Sequence, residues 1–117
     1  MTGDITIYHN PRCSKSRATL ELLKTEGRDP RLVEYLKEPP TAKTLDAILD
    51  MLGMEPCDLM RTKEKEYREA GLVNPDLGRA ELIAAMIEHP RLIERPIVIA
   101  NGKAAIGRPP EKVLEIL

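Results

Sequence analysis

The sequence predicts an α/β fold, a mixed four-stranded sheet in two halves, βαβ and ββα, with a helical insert between them. Three observations predict it. An alternating run, Ile5-Thr6-Ile7-Tyr8, leads directly into the helix-forming run Ala18–Lys24, and a second β-rich run follows at Arg31–Leu36. Near the C-terminus, Pro96-Ile97-Val98-Ile99-Ala100 and Lys103-Ala104-Ala105-Ile106-Gly107 flank Asn101-Gly102, a strong two-residue hairpin turn. The residues between these two halves show helical periodicity interrupted by Gly and Pro.

In chain order, the first strand is expected over Asp4–Tyr8 and the first helix over about Ser14–Glu26, closed by Gly27. With Arg31–Leu36 as the second strand, the unit is a parallel strand–helix–strand crossover of the right-handed kind. Pro39-Pro40 breaks the chain. Thr41 can cap the next helix, whose Leu45, Ile48, Leu49 and Leu52 share a face until Gly53 ends it. Short helical pieces follow at Cys57–Met60 and Lys63–Ala70, then a loop from Gly71 to Gly78 containing Asn74-Pro75. Arg79–His89 is an amphipathic helix with Leu82, Ile83, Met86 and Ile87 as its core stripe, and His89 at its end is read as a partner of the helix dipole. After the hairpin, Pro109-Pro110 starts a final helix with Val113, Leu114 and Leu117 facing inward. This order is that of a thioredoxin-like fold, as one domain over residues 1–117 with the insert at about 41–90.

Composition narrows the function classes. A chain of 117 residues can bury roughly two thirds of its unfolded surface without staples. Its core must be aliphatic, because there is no Phe or Trp and only Tyr8, Tyr35 and Tyr67. A net charge of −1 and the lack of aromatic platforms argue against nucleic acid as a partner. No apolar run is long enough to span a membrane and there is no signal peptide, so the expected location is cytoplasmic, where thiols are kept reduced. The two cysteines, Cys13 and Cys57, have no metal-ligand spacing, and no metal is expected. Cys57 lies among acids and is read as a small half-buried residue. With no long apolar stripe left over, a monomer is expected.

The chemistry concentrates in Tyr8-His9-Asn10-Pro11-Arg12-Cys13-Ser14-Lys15-Ser16-Arg17. Cys13 falls on the turn between strand and helix, where unpaired N–H groups and the positive end of the helix dipole gather. No acid occurs between Ile5 and Leu20, and Arg12, Lys15, Arg17 and His9 are all able to add positive charge. Such surroundings lower a thiol pKa and attract an anion. Asn10 and Ser16 either hydrogen-bond the thiolate or cap the helix, and capping is the commoner use of such residues. Ser14 reads as an N-cap, and Arg17 is the basic residue expected to stay near the anion. His9 either lowers the thiol pKa and shuttles a proton or does neither. Arg61, Arg95 and Arg108 sit at loops or element edges, and guanidinium forks match tetrahedral oxyanions. In this topology Arg95 precedes the third strand opposite the first helix N-terminus, which makes Pro96 a candidate cis-proline. The third residue after Cys13 is Ser16, so no local dithiol exists, and the sixth is Thr19 where a phosphatase loop needs Arg.

These residues resemble the glutaredoxin-linked arsenate reductases, the ArsC family, over essentially the whole length. The marks are Ile5–Cys13 with Ser16-Arg17, Tyr35-Leu36 before Pro39-Pro40, Arg61, His89-Pro90, Leu92-Ile93, Arg95-Pro96-Ile97-Val98 and Arg108-Pro109. The resemblance implies Cys13 as the nucleophile, His9 as an aid to its ionisation, and Arg61, Arg95 and Arg108 as holders of arsenate or a similar oxyanion. It also implies a cis bond at Pro96, glutathione as co-substrate, glutaredoxin as partner and no bound cofactor. Its best-known members carry Gly-Thr where this chain has Ser14-Lys15, and they continue beyond the position of Leu117, so this chain resembles a short branch. Other uses of the same fold are a glutathione-dependent thiol oxidoreductase, which needs Cys13 but not the arginines, and an Spx-like regulatory binding module. The latter commonly uses a Cys-x-x-Cys switch, and Ser16 removes it.

Overall fold

A computed structural model of the chain describes residues 5–72, 74 and 76–117. Asp4, expected in the first strand, and Pro75, expected in the Gly71–Gly78 loop, lie outside the described residues. Two compact units are present: residues up to Glu38 together with Arg95–Leu117, and Pro39–Glu94.

The first unit holds the sheet. Strand β1 (Thr6–Tyr8), helix α1 (Ser14–Thr25) and strand β2 (Arg31–Val33) form the parallel crossover; β3 (Ile97–Ala100) and β4 (Lys103–Ile106) form the hairpin. The strand order is β2-β1-β3-β4, with β1 parallel to β2 and antiparallel to β3. Alternation along the central strands decides which residues face the core. Ile5, Ile7, Val98 and Ala100 point to one face, where they meet Leu23 of α1 and Val113 and Ile116 of the C-terminal segment. The register pairs Ile7 with Val98 on that face and Tyr8 with Ile97 on the other. At the hairpin, Asn101 and Gly102 adopt φ of 55° and 72°, the two positive values that a type I′ turn requires.

Strand β2 is shorter than the expected Arg31–Leu36. Its ladder ends where β1 ends: His9 N–H donates to Val33 O (2.8 Å), and the β1 chain then turns away. Left without a strand partner, Glu34 O accepts from Lys37 and Glu38 N–H instead (both 2.9 Å). The C-terminal segment Pro110–Ile116 is a 3-10 helix, not an α-helix. Its three-residue period turns Val113 and Ile116 inward and leaves Leu114 39% exposed, which corrects the expected inward face of Val113, Leu114 and Leu117. Leu117 packs only at the margin of the core.

The second unit is helical. Thr41 caps α2 (Ala42–Leu52), its hydroxyl accepting from Thr44 N–H (3.1 Å), and Gly53 ends the helix in the left-handed region at φ 67°. A 3-10 turn (Pro56–Leu59), α3 (Lys65–Glu69), α4 (Arg79–Glu88) and a second 3-10 turn (Pro90–Leu92) follow. Leu45, Ile48 and Leu49 of α2 and Ile83, Ala85 and Met86 of α4 are buried, and these two helices pack together. Leu82 and Ile87 of the expected α4 stripe are only half-buried, and Ala85, outside that stripe, is buried. Arg79 crosslinks the two helices from the surface, its Nε donating to Asp46 Oδ1 (2.7 Å) and its Nη2 to Asp50 Oδ1 (3.0 Å). Cys57 is exposed rather than half-buried, because the 3-10 turn sends Pro56 and Leu59 inward and leaves the residues between them outside. Among the described residues no helix is long and apolar enough to cross a membrane.

Candidate active site

The Cys13 turn is built by its own polar atoms. Asn10 Oδ1 accepts from Arg12 N–H (3.0 Å), and Asn10 O accepts from Cys13 N–H (3.0 Å), so the chain leaves β1 in a tight reversal. Arg17 Nη1 donates to Pro11 O (2.8 Å), clamping that reversal from α1. Cys13 then takes the extended N-cap conformation (φ −94°, ψ 123°), and its carbonyl accepts the first helical bond from Arg17 N–H (3.0 Å). The cap is therefore Cys13 itself and not Ser14, which sits exposed in the first turn. Arg17, expected near the anion, is engaged with the turn backbone.

An N-cap side chain faces the unpaired N–H groups of the first helical turn. For Cys13 those are the N–H groups of Lys15 and Ser16. They fall outside capping hydrogen-bond geometry with the neutral sulfur, yet both favour its anion. Burial pushes the Cys13 thiol up. The Ser16 N–H, the Arg95 guanidinium, the Lys15 N–H and the Arg108 guanidinium pull it down, and together they win: the thiol is held below its ordinary value of 9.0. Cys13 as a residue is buried, with 9% of its surface exposed.

Arg95 and Arg108 come from the two ends of the β3–β4 hairpin. Gly107 N–H donates to Pro96 O (2.9 Å) and Arg108 Nη1 donates to Arg95 O (3.2 Å), which ties the two arginine-bearing junctions together. The Arg95–Pro96 bond is cis, as is Arg108–Pro109. Arg61 belongs to the second unit. There its N–H donates to Leu92 O (2.7 Å) beside the Met60–Ile93 bridge, and its guanidinium pairs with Glu64.

His9 and Ser16 form a buried pair behind the turn, Nδ1 to Oγ at 2.6 Å, with His9 4% and Ser16 0% exposed. Ser16 Oγ also accepts from Asn10 N–H (3.0 Å). Burial lowers the His9 pKa; Glu34 opposes this, while Arg17 and Lys24 add to it, and the net value lies below the ordinary 6.5. His9 is accordingly neutral near pH 7, and it is not among the groups that pull the Cys13 thiol down. Replacing Ser16 by alanine leaves a buried imidazole nitrogen and the Asn10 N–H without this partner, and a loss of about 1–3 kcal/mol in denaturant unfolding is expected. The folded His9 pKa is depressed, so its contribution to stability is complete above the unfolded value of 6.5 and is lost as pH falls through the folded value. Unfolding free energies measured from pH 7 downward should fall in that window, and less so in His9→Gln.

Sequence reasoning gave no role to Thr19 or Gly107. Thr19 is fully buried, its Oγ1 3.5 Å from Gly107 O. The signal available was the small residue placed immediately before Arg108-Pro109. Among the described residues, no group of three or more His, Cys, Asp or Glu is placed to hold a metal ion.

The chain is similar to known proteins along its full length. The family model of the ArsC family matches residues 8–116. Protein YfgD of Escherichia coli (strain K12) is 56% identical, covering 100% of this chain and 99% of that one. An arsenate reductase of Haemophilus influenzae is 51% identical, covering 97% of this chain and 98% of that one. The solved structure of an arsenate reductase from Vibrio cholerae superposes with a TM-score of 0.96 at 49% identity, covering 100% of both chains. The sheet order, the cysteine at the head of α1 and these full-length likenesses agree: the fold is thioredoxin-like, and the chain belongs to the ArsC family.

Proposed function

We propose that this protein is an arsenate reductase in which Cys13 is the nucleophile and glutathione with glutaredoxin supplies the electrons. The observation that carries this reading is the convergence on one thiol of two helix N–H groups and the Arg95 and Arg108 guanidinium groups. A thiolate in that setting is a nucleophile, and the groups that hold its charge are also donors for a tetrahedral oxyanion. Relatives bearing the name arsenate reductase at about half identity support the same substrate.

The Cys13 thiolate attacks As(V), an arsenate hydroxyl takes a proton from solvent and leaves as water, and a sulfur–arsenic bond forms. The thiol of glutathione displaces a second water and becomes the next sulfur on arsenic. A glutaredoxin thiolate then attacks the glutathione sulfur. A glutaredoxin–glutathione disulfide forms, the arsenic–glutathione bond breaks, and its electron pair stays on arsenic, which becomes As(III). Water cleaves the Cys13–As(III) bond and returns the thiol with arsenite. Arg95 and Arg108 oppose the charge that gathers on the arsenate oxygens during the attack, Arg108 being held beforehand by its bond to Arg95 O. One cysteine suffices because the second thiol is external, in keeping with Ser16 at the position a local partner would need.

The test is steady-state arsenate reduction with glutathione and glutaredoxin both present, then with each omitted. Turnover that requires both is the expected result. No turnover with both present would refute the assignment, and turnover without glutaredoxin would refute the stated route of electrons.

A further inference from the structure

Gly107 occupies a space that no other residue fits. A Cβ built there would collide with Thr19 Oγ1 and would lie 2.9 Å from Pro96 Cγ and 3.1 Å from Thr19 Cγ2. Contacts under 3 Å are not tolerated without movement of a neighbour. Neither neighbour is a free end: Thr19 is fully buried with its Oγ1 donating to Lys15 O (2.8 Å), and Pro96 is a buried ring immediately before β3. Gly107 is thus seated between the helix that carries Cys13 and the junction that carries Arg95, while the next residue is Arg108. Its N–H to Pro96 O and the Arg108 Nη1 to Arg95 O bond join the same two junctions.

We propose that Gly107 and Thr19 are positioning residues for the anion site: their close packing sets the distance of Arg95 and Arg108 from the Cys13 sulfur. Neither residue touches the anion. Thr19 lies six residues after Cys13 on the buried side of α1, so it shares a rigid element with the sulfur. Any added bulk at Gly107 must separate α1 from the hairpin ends, and both arginines move with the hairpin. The charge that favours the thiolate falls with that separation, and so does the pairing of donors that an oxyanion needs.

This inference rests on the reading of Cys13 as the reactive thiol, and its test does not depend on arsenate turnover. The measurement is the pH dependence of Cys13 alkylation by iodoacetamide in a Cys57→Ser background, which leaves one thiol, with thermal unfolding recorded in parallel. In Gly107→Ala the midpoint should rise by about one pH unit, a tenfold loss of thiolate at a fixed pH below it. Adding Thr19→Ala to Gly107→Ala removes two of the three close contacts and should return part of the shift. Thr19→Ala alone, which loosens the same contact without bulk, should raise the midpoint by less. A folded Gly107→Ala protein with an unchanged midpoint would overturn the proposal. If Gly107→Ala does not fold, an unchanged midpoint in Thr19→Ala overturns it equally. Inorganic arsenate added to the alkylation reaction should protect the parent protein more strongly than Gly107→Ala, and equal protection of the two would count against it. Absence of arsenate reduction in the parent protein, with the midpoints still shifting as described, would remove the enzyme assignment and leave the positioning roles standing.

Discussion

Replacement of Cys13 by serine is expected to lower arsenate reduction by at least about 10³-fold, the largest effect of any single substitution. A serine at this N-cap can still cap α1 and accept from Lys15 and Ser16 N–H, so the fold and its stability should change little. What it cannot do is ionise near neutral pH, because the groups that depress the thiol act on an alcohol whose pKa is far higher. Nor can its oxygen be exchanged by a second thiol as a sulfur on arsenic is. The variant should therefore retain binding of arsenate while losing the covalent step. Steady-state rates and an equilibrium binding measurement on the same preparation separate the two. Retained turnover in Cys13→Ser would exclude the mechanism even if the protein proved to reduce arsenate.

The second-largest effect is expected from Arg95. Arg95→Ala should reduce kcat/KM for arsenate by about 10²–10³-fold, the range found when one preorganised donor is removed from a charge-stabilising site. Two consequences arrive together because one guanidinium has two roles. It lowers the Cys13 thiol, more strongly than Arg108 does, and in the proposed mechanism it also holds the oxyanion at the same sulfur. The pH profile of kcat/KM should move upward in Arg95→Ala and by less in Arg108→Ala. Raising the assay pH should then recover the part of the loss that is due to thiol ionisation and leave the part due to anion binding. Arg95→Lys keeps the charge but not the planar fork, so it should restore the profile more than the affinity. An Arg95→Ala enzyme with the parental profile and the parental KM would show that the guanidinium serves neither role.

Much of this site was legible in the residues, and the reasons it was legible are physical. A strand-to-helix junction with no acid nearby must put Cys13 in a positive field, and Cys13, Arg95 and Arg108 are indeed joined electrostatically within one unit. The hairpin followed from Asn101-Gly102, because only such residues accept two successive positive φ values cheaply. What sequence could not supply were choices made by packing. Whether Arg17 faces an anion or the Pro11 carbonyl depends on the rotamer of an exposed side chain. Whether the last segment winds with three or 3.6 residues per turn decides between Leu114 and Ile116, and both patterns are present in Val113-Leu114-Glu115-Ile116-Leu117. The end of β2 is set by the length of its partner β1, which residues 34–36 do not encode. Gly107 is the clearest instance: a glycine is required by atoms of Thr19 and Pro96, neither of them adjacent to it in sequence.

The central claim is that the position of Cys13, between a helix N-terminus and two guanidinium groups, lowers its thiol pKa and raises its thiolate fraction. Ultraviolet thiolate absorbance titrated against pH in the Cys57→Ser variant measures this directly, with Cys13 then the one thiol present. A midpoint below the ordinary thiol value, moving upward in Arg95→Ala, is the predicted result. A midpoint at or above that value in the parent protein would contradict it.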